Sequence, residues 1–322
     1  MSLARYLLIP LLALLASIPI SVAQAAETHR LILDWFPNAD HVPLYVAQEA
    51  GIFADYDLDI ELVPPADPSD PLKLVAAGRA PFGINYQPNV IIARSEGLPV
   101  RSIGVLVEHP LSSVAFLESS GIETPADLKG KRIGYSVQQL ELALLRAVAG
   151  SAGVHPDDYE TINVNFNLTS SLLSGQVDAV VGAFWNYELA ELELEGFRGD
   201  YFALEDFGVP DYYELIVITN DRFLRENRDT AERLVAAVQE AIDRTRADPE
   251  RALELYFRAN PEVRRELDRR AFNLVQGQFA HGQRQSRDKW ARFVDFALEQ
   301  GVIEKRVSPD DLYENLQRNG GQ

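Results

Sequence analysis

The sequence predicts an α/β protein built from two similar lobes, each a mainly parallel sheet flanked by helices. The first observation is that short apolar runs rich in β-forming residues alternate with amphipathic stretches closed by glycine, a pattern typical of βαβ units. The second is that the same order of elements occurs twice. The third is size, because a chain of 322 residues with 47% apolar content can bury a large core. One large doubly wound sheet is the alternative arrangement.

The first copy of the repeated order contains three strands and two helices. In chain order they are predicted over residues 30–34, 43–51, 58–63, 71–78 and 80–85. The second copy is predicted over residues 131–136, 140–149, 160–166, 169–175 and 177–184. In each copy the second helix meets a glycine, Gly78 or Gly175, that can adopt the left-handed C-cap conformation, and a buried strand follows at once. The shared order therefore indicates two lobes built on one plan.

Two further strand-like runs, residues 113–118 and 215–219, lie next to breaks in this pattern. We expect them to be the two strands that cross between the lobes. They divide the chain into a first lobe of residues 26–117 and 215–322 and a second lobe of residues 118–214.

From residue 222 onward the pattern is almost wholly helical. Trp290, Phe293 and Phe296 recur there at a helical spacing that is more typical of core packing than of ligand contact. This C-terminal region is therefore predicted to be scaffold.

Residues 1–25 have the three-part pattern of an export signal. A short start carrying Arg5 precedes an apolar run, and a small-residue cleavage site ends at Ala25. A membrane anchor is the alternative, but Pro10 and Pro19 interrupt the run, which is short for a span. Because the chain has no Cys, none is available for lipid attachment. We expect a free periplasmic or secreted protein and not a lipoprotein.

The composition excludes several classes of function. A net charge of -18 repels phosphate backbones, so nucleic acid is not expected as a partner. The absence of Cys rules out disulfides, thiolate metal sites and cysteine nucleophiles. The sequence has no glycine-rich phosphate-binding motif, and its five histidines form no i,i+4 pair. We therefore expect neither a metal nor a cofactor, and binding without turnover is the simpler interpretation.

Four loops are the candidate binding region, since ligands of open α/β sheets bind beyond the carboxyl ends of the strands. They are residues 35–41 and 86–89 in the first half and residues 135–138 and 185–188 in the second. These loops concentrate aromatic rings, amides and a carboxylate. Such a set suits a flat, nitrogen-bearing heterocycle, because aromatic faces stack on the ring while amides and acids bind its amino groups.

Several motifs carry a resemblance to a known family. They are LDWFPN at residues 33–38, PLYVA at 43–47, GIF at 51–53, DLKGK at 127–131, FWNYE at 184–188 and VPDYYE at 209–214. With them the sequence resembles the periplasmic substrate-binding proteins of ABC importers that carry thiamine pyrimidine precursors, and equally the related fungal pyrimidine synthases. The resemblance covers nearly the whole chain after the predicted signal.

The resemblance implies a two-lobed type II periplasmic binding fold that closes on its ligand like a hinged clamp. It implies a small aromatic pyrimidine as ligand, carrying a formylaminomethyl or a hydroxymethyl group, and delivery of that ligand to an ABC permease. A monomer is expected, because the clamp needs both lobes free.

The resemblance also implies which residues bind the ligand. Trp35 would stack on the pyrimidine, Asn38 and Tyr86 would line the wall of the first lobe, and Tyr187 and Glu188 would close the second. Glu188 is expected to accept a hydrogen bond from the ring amino group. The weaker candidates are Asp34, Asn85, Asn89, Trp185 and Tyr212.

Two departures from the synthases favour a protein that is not an enzyme. Asn85 and Asn89 stand where the synthases carry the pyridoxal-phosphate lysine and a sacrificial histidine. The cysteine-rich iron motif of those enzymes is replaced by residues 209–215, which contain no Cys. Residues 136–140 lack the glycines of the synthases' phosphate loop, which indicates an unphosphorylated ligand.

Three alternatives remain at this stage. Riboflavin or another small aromatic would suit the same scaffold. A sulfonate or nitrate would need a basic group, and Arg79 and Arg94 are the nearest in sequence to the four loops. A hydrolase would use His41 as base, with Asp40 or Glu188 as its partner.

Overall fold

The structure is a computed structural model that describes residues 27–316. Within this range ten strands form two five-stranded sheets. The first sheet with its helices is called the first lobe here, and the second sheet with its helices the second lobe. The predicted export signal lies outside the described residues.

The first sheet has the strand order β2-β1-β3-β10-β4. Its strands are β1 Thr28–Ile32, β2 Asp59–Val63, β3 Phe82–Asn85, β4 Val100–Val107 and β10 Leu215–Asn220. Strand β1 pairs in parallel with β2 and β3, whereas β10 runs antiparallel to both of its neighbours.

The second sheet repeats this topology with the order β7-β6-β8-β5-β9. Its strands are β5 Ser112–Leu117, β6 Arg132–Tyr135, β7 Glu160–Asn163, β8 Ala179–Phe184 and β9 Gly199–Ala203. Here β6 pairs in parallel with β7 and β8, and β5 is the antiparallel strand. The prediction of two similar α/β lobes is therefore confirmed, and the alternative of one large sheet is wrong.

Helices lie at the four places where the repeated pattern predicts them, near residues 43–51, 71–78, 140–149 and 169–175. Three further helices, at residues 52–55, 87–95 and 188–194, were not predicted. The first lobe holds α1 Val42–Glu49, α2 Ile52–Asp55, α3 Asp70–Ala76 and α4 Gln87–Ser95, and the second holds α5 Gln138–Ser151, α6 Leu168–Leu173 and α7 Glu188–Leu194. After α3 and α6, Gly78 and Gly175 have φ angles of 67° and 69°. Both adopt the left-handed conformation that ends a helix and lets the following strand turn back into the sheet.

The two runs expected to cross between lobes are instead the antiparallel strands β5 and β10, each confined to one sheet. Strand β5 pairs with β8 and β9 of the second sheet, although the predicted boundary at residue 117 assigned it to the first lobe. The connections that pass between the sheets come just before these strands, at residues 108–111 and 208–214. A division by sheets therefore moves the first boundary from residue 117 to residues 108–111.

Five C-terminal helices complete the first lobe, as the helical pattern predicts. They are α8 Asp221–Glu226, α9 Arg228–Ala247, α10 Pro249–Ala259, α11 Arg265–Val275 and α12 Arg287–Glu299. Trp290, Phe293 and Phe296 are buried in the core, which confirms their predicted role. Helix α11 does more than pack on the first lobe, because it contacts both the 3-10 turn Ala39–His41 and helix α7 of the second lobe. None of the helices in residues 27–316 has the length and apolar character needed to cross a bilayer.

Glu214 ties the two connections between the sheets together. Its side chain is fully buried. The carboxylate accepts hydrogen bonds from the backbone amides of Leu111 and Ser112 at 2.6 and 2.8 Å. It also accepts from the Ser112 hydroxyl at 3.0 Å and from the Tyr212 hydroxyl at 3.1 Å. One carboxylate therefore satisfies donors from both crossing segments.

Replacing Glu214 is expected to weaken the contact between the two segments that connect the sheets. The Glu214→Ala variant leaves two backbone amides and two hydroxyls buried without this acceptor, so we expect the free energy of unfolding to fall by about 3 kcal/mol. The Tyr212→Phe variant removes one donor and should cost about 1 kcal/mol. Urea unfolding measures both, and equal losses in the two variants would contradict the central role of Glu214.

Candidate functional site

A cavity lies between the two lobes, at the carboxyl ends of the parallel strands of both sheets. The first lobe contributes Asp34, Trp35, Asn38, Asp40 and Tyr86, and the second contributes Ser112, Leu140, Glu141, Leu168, Gly182, Phe184, Tyr187 and Glu188. The space between these side chains is about 470 Å³, with open solvent at the mouth included. Aromatic and polar side chains that converge between two lobes in this way are typical of sites for small molecules.

The first-lobe wall rests on a buried hydrogen-bonded chain. Asp34 accepts from His41 Nε2 at 2.8 Å and from the Tyr86 hydroxyl at 3.1 Å. The backbone amide of Asn38 points at His41 Nδ1, 3.4 Å away, so Nδ1 accepts and Nε2 carries the proton. Asn38 in turn accepts from the Asp40 amide at 2.9 Å and caps the short turn Ala39–His41. The chain holds the loop after β1 in one conformation.

Trp35 reaches from this loop into the apolar cluster of the second lobe. Its ring packs edge-on against Phe166 with a centroid separation of 4.6 Å, and it also contacts Phe36. Only 8% of Trp35 is exposed, and its Nε1 has no hydrogen-bond partner among the described residues. An indole donor buried beside a cavity without an acceptor is expected to bind a ligand or a water molecule.

Asp40 links the two lobes directly. It is fully buried, and its Oδ1 accepts from Asn186 Nδ2 of the second lobe at 2.8 Å. Its Oδ2 has no partner among the described residues. Burial raises the pKa of Asp40 to about 7, because the neighbouring His41 and the bond from Asn186 offset the loss of hydration only in part.

The second-lobe wall presents Tyr187 and Glu188 at the start of α7. Glu188 accepts from the Phe184 amide at 2.7 Å and is 7% exposed. Burial is the main reason that the pKa of Glu188 is raised to about 8. Tyr187 packs its ring 6.3 Å from that of Phe36, so an aromatic side chain of each lobe meets at this edge of the cavity.

Glu141 is a lining residue that sequence reasoning missed. It lies in the first turn of α5, accepts from the Ser136 amide at 2.6 Å, and has a pKa raised to about 8 by burial. Gly182 in β8 faces it, with a φ of 89°, and any Cβ at that position would overlap the Glu141 carboxyl group. The sequence signal was available, since Glu141 follows the predicted loop 135–138 by one helical turn.

The described charged side chains that line the cavity are all acidic. Among its described lining residues four are acidic, namely Asp34, Asp40, Glu141 and Glu188, and none is Lys or Arg. The two arginines considered for an anion site lie elsewhere. Arg94 forms an ion pair with Asp221 at 2.8 Å, and Arg79 lines a different surface cleft.

Further contacts close the lobes around the cavity. Arg264, just before α11, pairs at 2.9 Å with Glu191 of α7 and at 2.8 Å with Glu195, which directly follows that helix. Gln139 of α5 donates to Glu96, beside α4, at 2.9 Å. The structure therefore represents an arrangement in which both lobes touch across the mouth of the site.

Six of the predicted binding residues line the cavity, and four do not. Asn85 accepts from the Tyr86 amide and is buried, and Asn89 is buried within α4. Tyr212 donates to Glu214 at the crossing. Trp185 donates from Nε1 to the Pro110 carbonyl and lines a separate cleft. The side chains of these four residues are held by the framework and do not line the cavity.

His41 is not positioned to act as the base of a hydrolase. His41 is fully buried and does not line the cavity, and both of its ring nitrogens are hydrogen-bonded. It therefore has a structural role, holding Asp34 and the loop after β1.

Gly182 is expected to be intolerant of a side chain. The Gly182→Ala variant strains a left-handed backbone and displaces Glu141, so the free energy of unfolding should fall by about 2–3 kcal/mol. Gly130→Ala is the matched control, since Gly130 has a φ of 77° and open space at its Cβ; we expect it to cost about 1 kcal/mol. Urea unfolding compares them, and equal losses would mean that Glu141 has room to move.

The buried carboxyl groups predict how stability depends on pH. Asp40, Glu141 and Glu188 have raised pKa values in the folded state. The folded state therefore binds more protons than the unfolded state between about pH 5 and pH 8, and the free energy of unfolding falls as pH rises. Each group protonated only in the folded state contributes a slope of about 1.4 kcal/mol per pH unit. The Glu141→Gln/Glu188→Gln double variant should make the fall of stability with pH shallower, since Asp40 still contributes, whereas Glu304→Gln, at an exposed position, should leave the curve from urea unfolding unchanged. A wild-type curve that rises with pH would refute this assignment.

Comparison with known proteins places the chain among thiamine-related proteins. It is 37% identical over 286 residues to a protein of Haemophilus influenzae named for thiamine biosynthesis, covering 88% of this chain and 90% of that one. It is 33% identical over 304 residues to a formylaminopyrimidine-binding protein of Halalkalibacterium halodurans, covering 91% of each. It is also 28% identical over 295 residues to a 4-amino-5-hydroxymethyl-2-methylpyrimidine phosphate synthase of Candida albicans, covering 88% and 87%.

The fold is shared with solved binding proteins. The alkanesulfonate-binding protein of Xanthomonas axonopodis superposes with a TM-score of 0.73 at 16% identity, covering 91% of this chain and all of that one. The family model described as NMT1/THI5 like matches residues 38–252. By that match and by the Haemophilus and Halalkalibacterium relatives, both more than 30% identical, the chain belongs to the NMT1/THI5-like family.

Proposed function

We propose that this protein is an extracytoplasmic solute-binding protein that holds a thiamine pyrimidine precursor between its lobes. The observation that carries the proposal is the cavity itself, in which aromatic rings from both lobes meet carboxyl groups and no basic side chain among the described lining residues. The formylaminopyrimidine-binding relative, 33% identical over most of both chains, supports the same ligand class.

The clamp works by making the ligand part of the contact between the lobes. Trp35 and Asp40 of the first lobe already touch Phe166 and Asn186 of the second. A ligand that contacts both walls has more interactions in the closed arrangement than in an open one, so its binding shifts the equilibrium toward closure. Release then requires the lobes to separate, which suits a protein that hands its ligand to a membrane permease.

The roles proposed for the lining residues follow from their chemistry. Trp35 offers an aromatic face for the pyrimidine ring, and Tyr187 offers a second aromatic group from the opposite lobe. Asn38 and Tyr86 line the first-lobe wall, and Glu188 accepts from the ring amino group. Asp34 supports Tyr86 through its hydrogen bond.

The partners and location belong to the same proposal. We infer an ABC permease as the partner, a monomer as the working form, and export by the predicted signal peptide of residues 1–25. The Xanthomonas sulfonate-binding protein has the same fold, but the basic group expected for a sulfonate is missing among the described lining residues.

Binding without turnover is proposed over synthesis. The Candida relative is named as a synthase, but Asn85 and Asn89 stand here at the positions that the resemblance assigns to the synthase lysine and histidine. Neither side chain lines the cavity.

A thermal-shift panel tests the function. The mature chain, residues 26–322, is heated with formylaminomethyl-pyrimidine, hydroxymethyl-pyrimidine, riboflavin, taurine or nitrate. A ligand at 100 times its dissociation constant adds about 2.7 kcal/mol to the free energy of unfolding, which gives a visible rise in Tm. We expect a rise with the pyrimidines, abolished by Trp35→Ala and retained by Trp185→Ala, a matched substitution outside the cavity.

The other outcomes are equally informative. A rise with riboflavin or an anion alone would keep the clamp and refute the pyrimidine. A pyrimidine response that survives in Trp35→Ala but is lost in Trp185→Ala would place the ligand outside the cavity. No rise with any compound would refute the proposed function.

A further inference from the structure

We propose that Arg264 is a positioning residue that controls ligand release, because from the first lobe it holds helix α7 of the second lobe in its closed position. The inference rests on the proposed function and deepens it, since it names a contact that sets how fast the site opens. Arg264 does not line the cavity. It acts through α7, where the second-lobe wall of the cavity begins.

Arg264 belongs to the first lobe. It directly precedes α11, and the Tyr256 hydroxyl of α10 donates to the buried Asp268 of α11 at 3.1 Å. Helix α11 also packs on the turn Ala39–His41, which belongs to the first-lobe loop of the cavity. A movement of α7 away from Arg264 is therefore a movement of one lobe relative to the other.

Arg264 binds two carboxylates of the second lobe at once. Its Nη1 lies 2.9 Å from Glu191 Oε1, and its Nη2 lies 2.8 Å from Glu195 Oε1. These two acids are four residues apart, one helical turn, so their like charges repel each other. The forked guanidinium offsets that repulsion and can reach both acceptors. Arg270 of α11, 3.9 Å from Glu193 of α7, adds to the attraction between the two helices.

The position of Arg264 is unfavourable for its own helix. Arg264 is the N-cap residue of α11, but its side chain makes no capping hydrogen bond. Small polar residues that accept hydrogen bonds stabilise an N-cap, and a cation is disfavoured near the positive end of the helix dipole. The stability of α11 therefore does not account for an arginine at this position, whereas the contact with α7 does.

The start of α7 carries the side chains that face the ligand. Asn186 and Tyr187 directly precede this helix, and Glu188 begins it. Asn186 donates to Asp40 of the first lobe at 2.8 Å, and Tyr187 and Glu188 line the cavity. If α7 moves away from α11, the bond to Asp40 breaks and both lining residues withdraw from the ligand. Because the contacts of Arg264 require the closed arrangement, their loss is expected to speed release.

The charges make this contact sensitive to salt. Arg264 is 47% exposed, and dissolved ions screen the attraction between exposed charges. Two further side-chain contacts between the lobes each pair a neutral amide with a carboxylate. They join Gln139 to Glu96 at 2.9 Å and Asn165 to Asp67 at 3.4 Å. Salt should therefore weaken closure more through Arg264 than through these amides.

Stopped-flow binding of formylaminomethyl-pyrimidine tests the proposal. Tryptophan fluorescence reports binding because Trp35 lines the cavity, and the dependence of the rate on ligand concentration gives kon and koff. In the Arg264→Gln variant we expect koff to rise about fivefold, with kon changed less than about twofold. Arg269→Gln is the matched control, since Arg269 of α11 pairs with Glu250 within the first lobe at 2.7 Å. It should leave both rate constants unchanged.

Three further readouts separate positioning from a general loss of stability. Raising KCl from about 0.05 to about 0.5 M should raise koff severalfold in the wild type and in Arg269→Gln, but much less in Arg264→Gln. Arg264→Lys keeps the charge and loses the fork, so its koff should lie between those of the wild type and Arg264→Gln. Glu195→Gln added to Arg264→Gln should raise koff by less than about twofold more, because both changes break the same contact.

The outcomes distinguish this inference from the proposed function. If the pyrimidine binds and koff in Arg264→Gln equals that in Arg269→Gln, the role of Arg264 is refuted while the proposed function stands. A salt dependence of koff that is as large in Arg264→Gln as in the wild type would also refute it. Absence of pyrimidine binding by the wild type refutes the proposed function, and the inference with it.

Discussion

The buried Glu214 carboxylate is the constraint on which the arrangement of the lobes depends. It binds amides of one connection between the sheets while belonging to the other, so the two crossing segments are held together. Because β5 and β10 start directly after these segments, the same contact fixes where each sheet begins its antiparallel strand. The carboxyl ends of the parallel strands of both sheets consequently face a common cavity, and every lining residue depends on that alignment.

Buried, desolvated carboxyl groups are a second feature that governs the site. Asp40, Glu141 and Glu188 each lose hydration at the junction of the lobes. Their hydrogen bonds, and for Asp40 the neighbouring His41, compensate for this loss only in part. Such groups lower the stability of the ligand-free closed form at neutral pH and gain most from a partner that donates hydrogen bonds. A cavity of this kind couples ligand binding to closure, because a ligand that donates hydrogen bonds offsets the desolvation of carboxyl groups that lie where the lobes meet.

Much of the fold could be predicted from sequence because it is a matter of local periodicity repeated twice. The strands β1 to β3 and β6 to β8, their helices, and Gly78 and Gly175 lie close to their predicted positions. Strands β4 and β9 were missed. Both are edge strands that follow the repeated unit, and β9 is largely half-exposed, so its apolar pattern is weak. The C-terminal helices were predicted, but not the contact of α11 with α7, because a helical pattern does not say which lobe its far end reaches.

The sequence by itself determined the order of the elements, the two-lobed class and the loops that carry the site, since a strand followed by a polar loop is a local signal. Only the tertiary structure decided which side chains in those loops point inward. Trp35 and Trp185 occupy equivalent places after strands, yet one lines the cavity and the other bonds the Pro110 carbonyl. Asp40 and Glu141 became part of the site through contacts with Asn186 and Gly182. Those contacts depend on how the lobes and strands pack against each other. The spacing of residues along the chain does not show that packing directly.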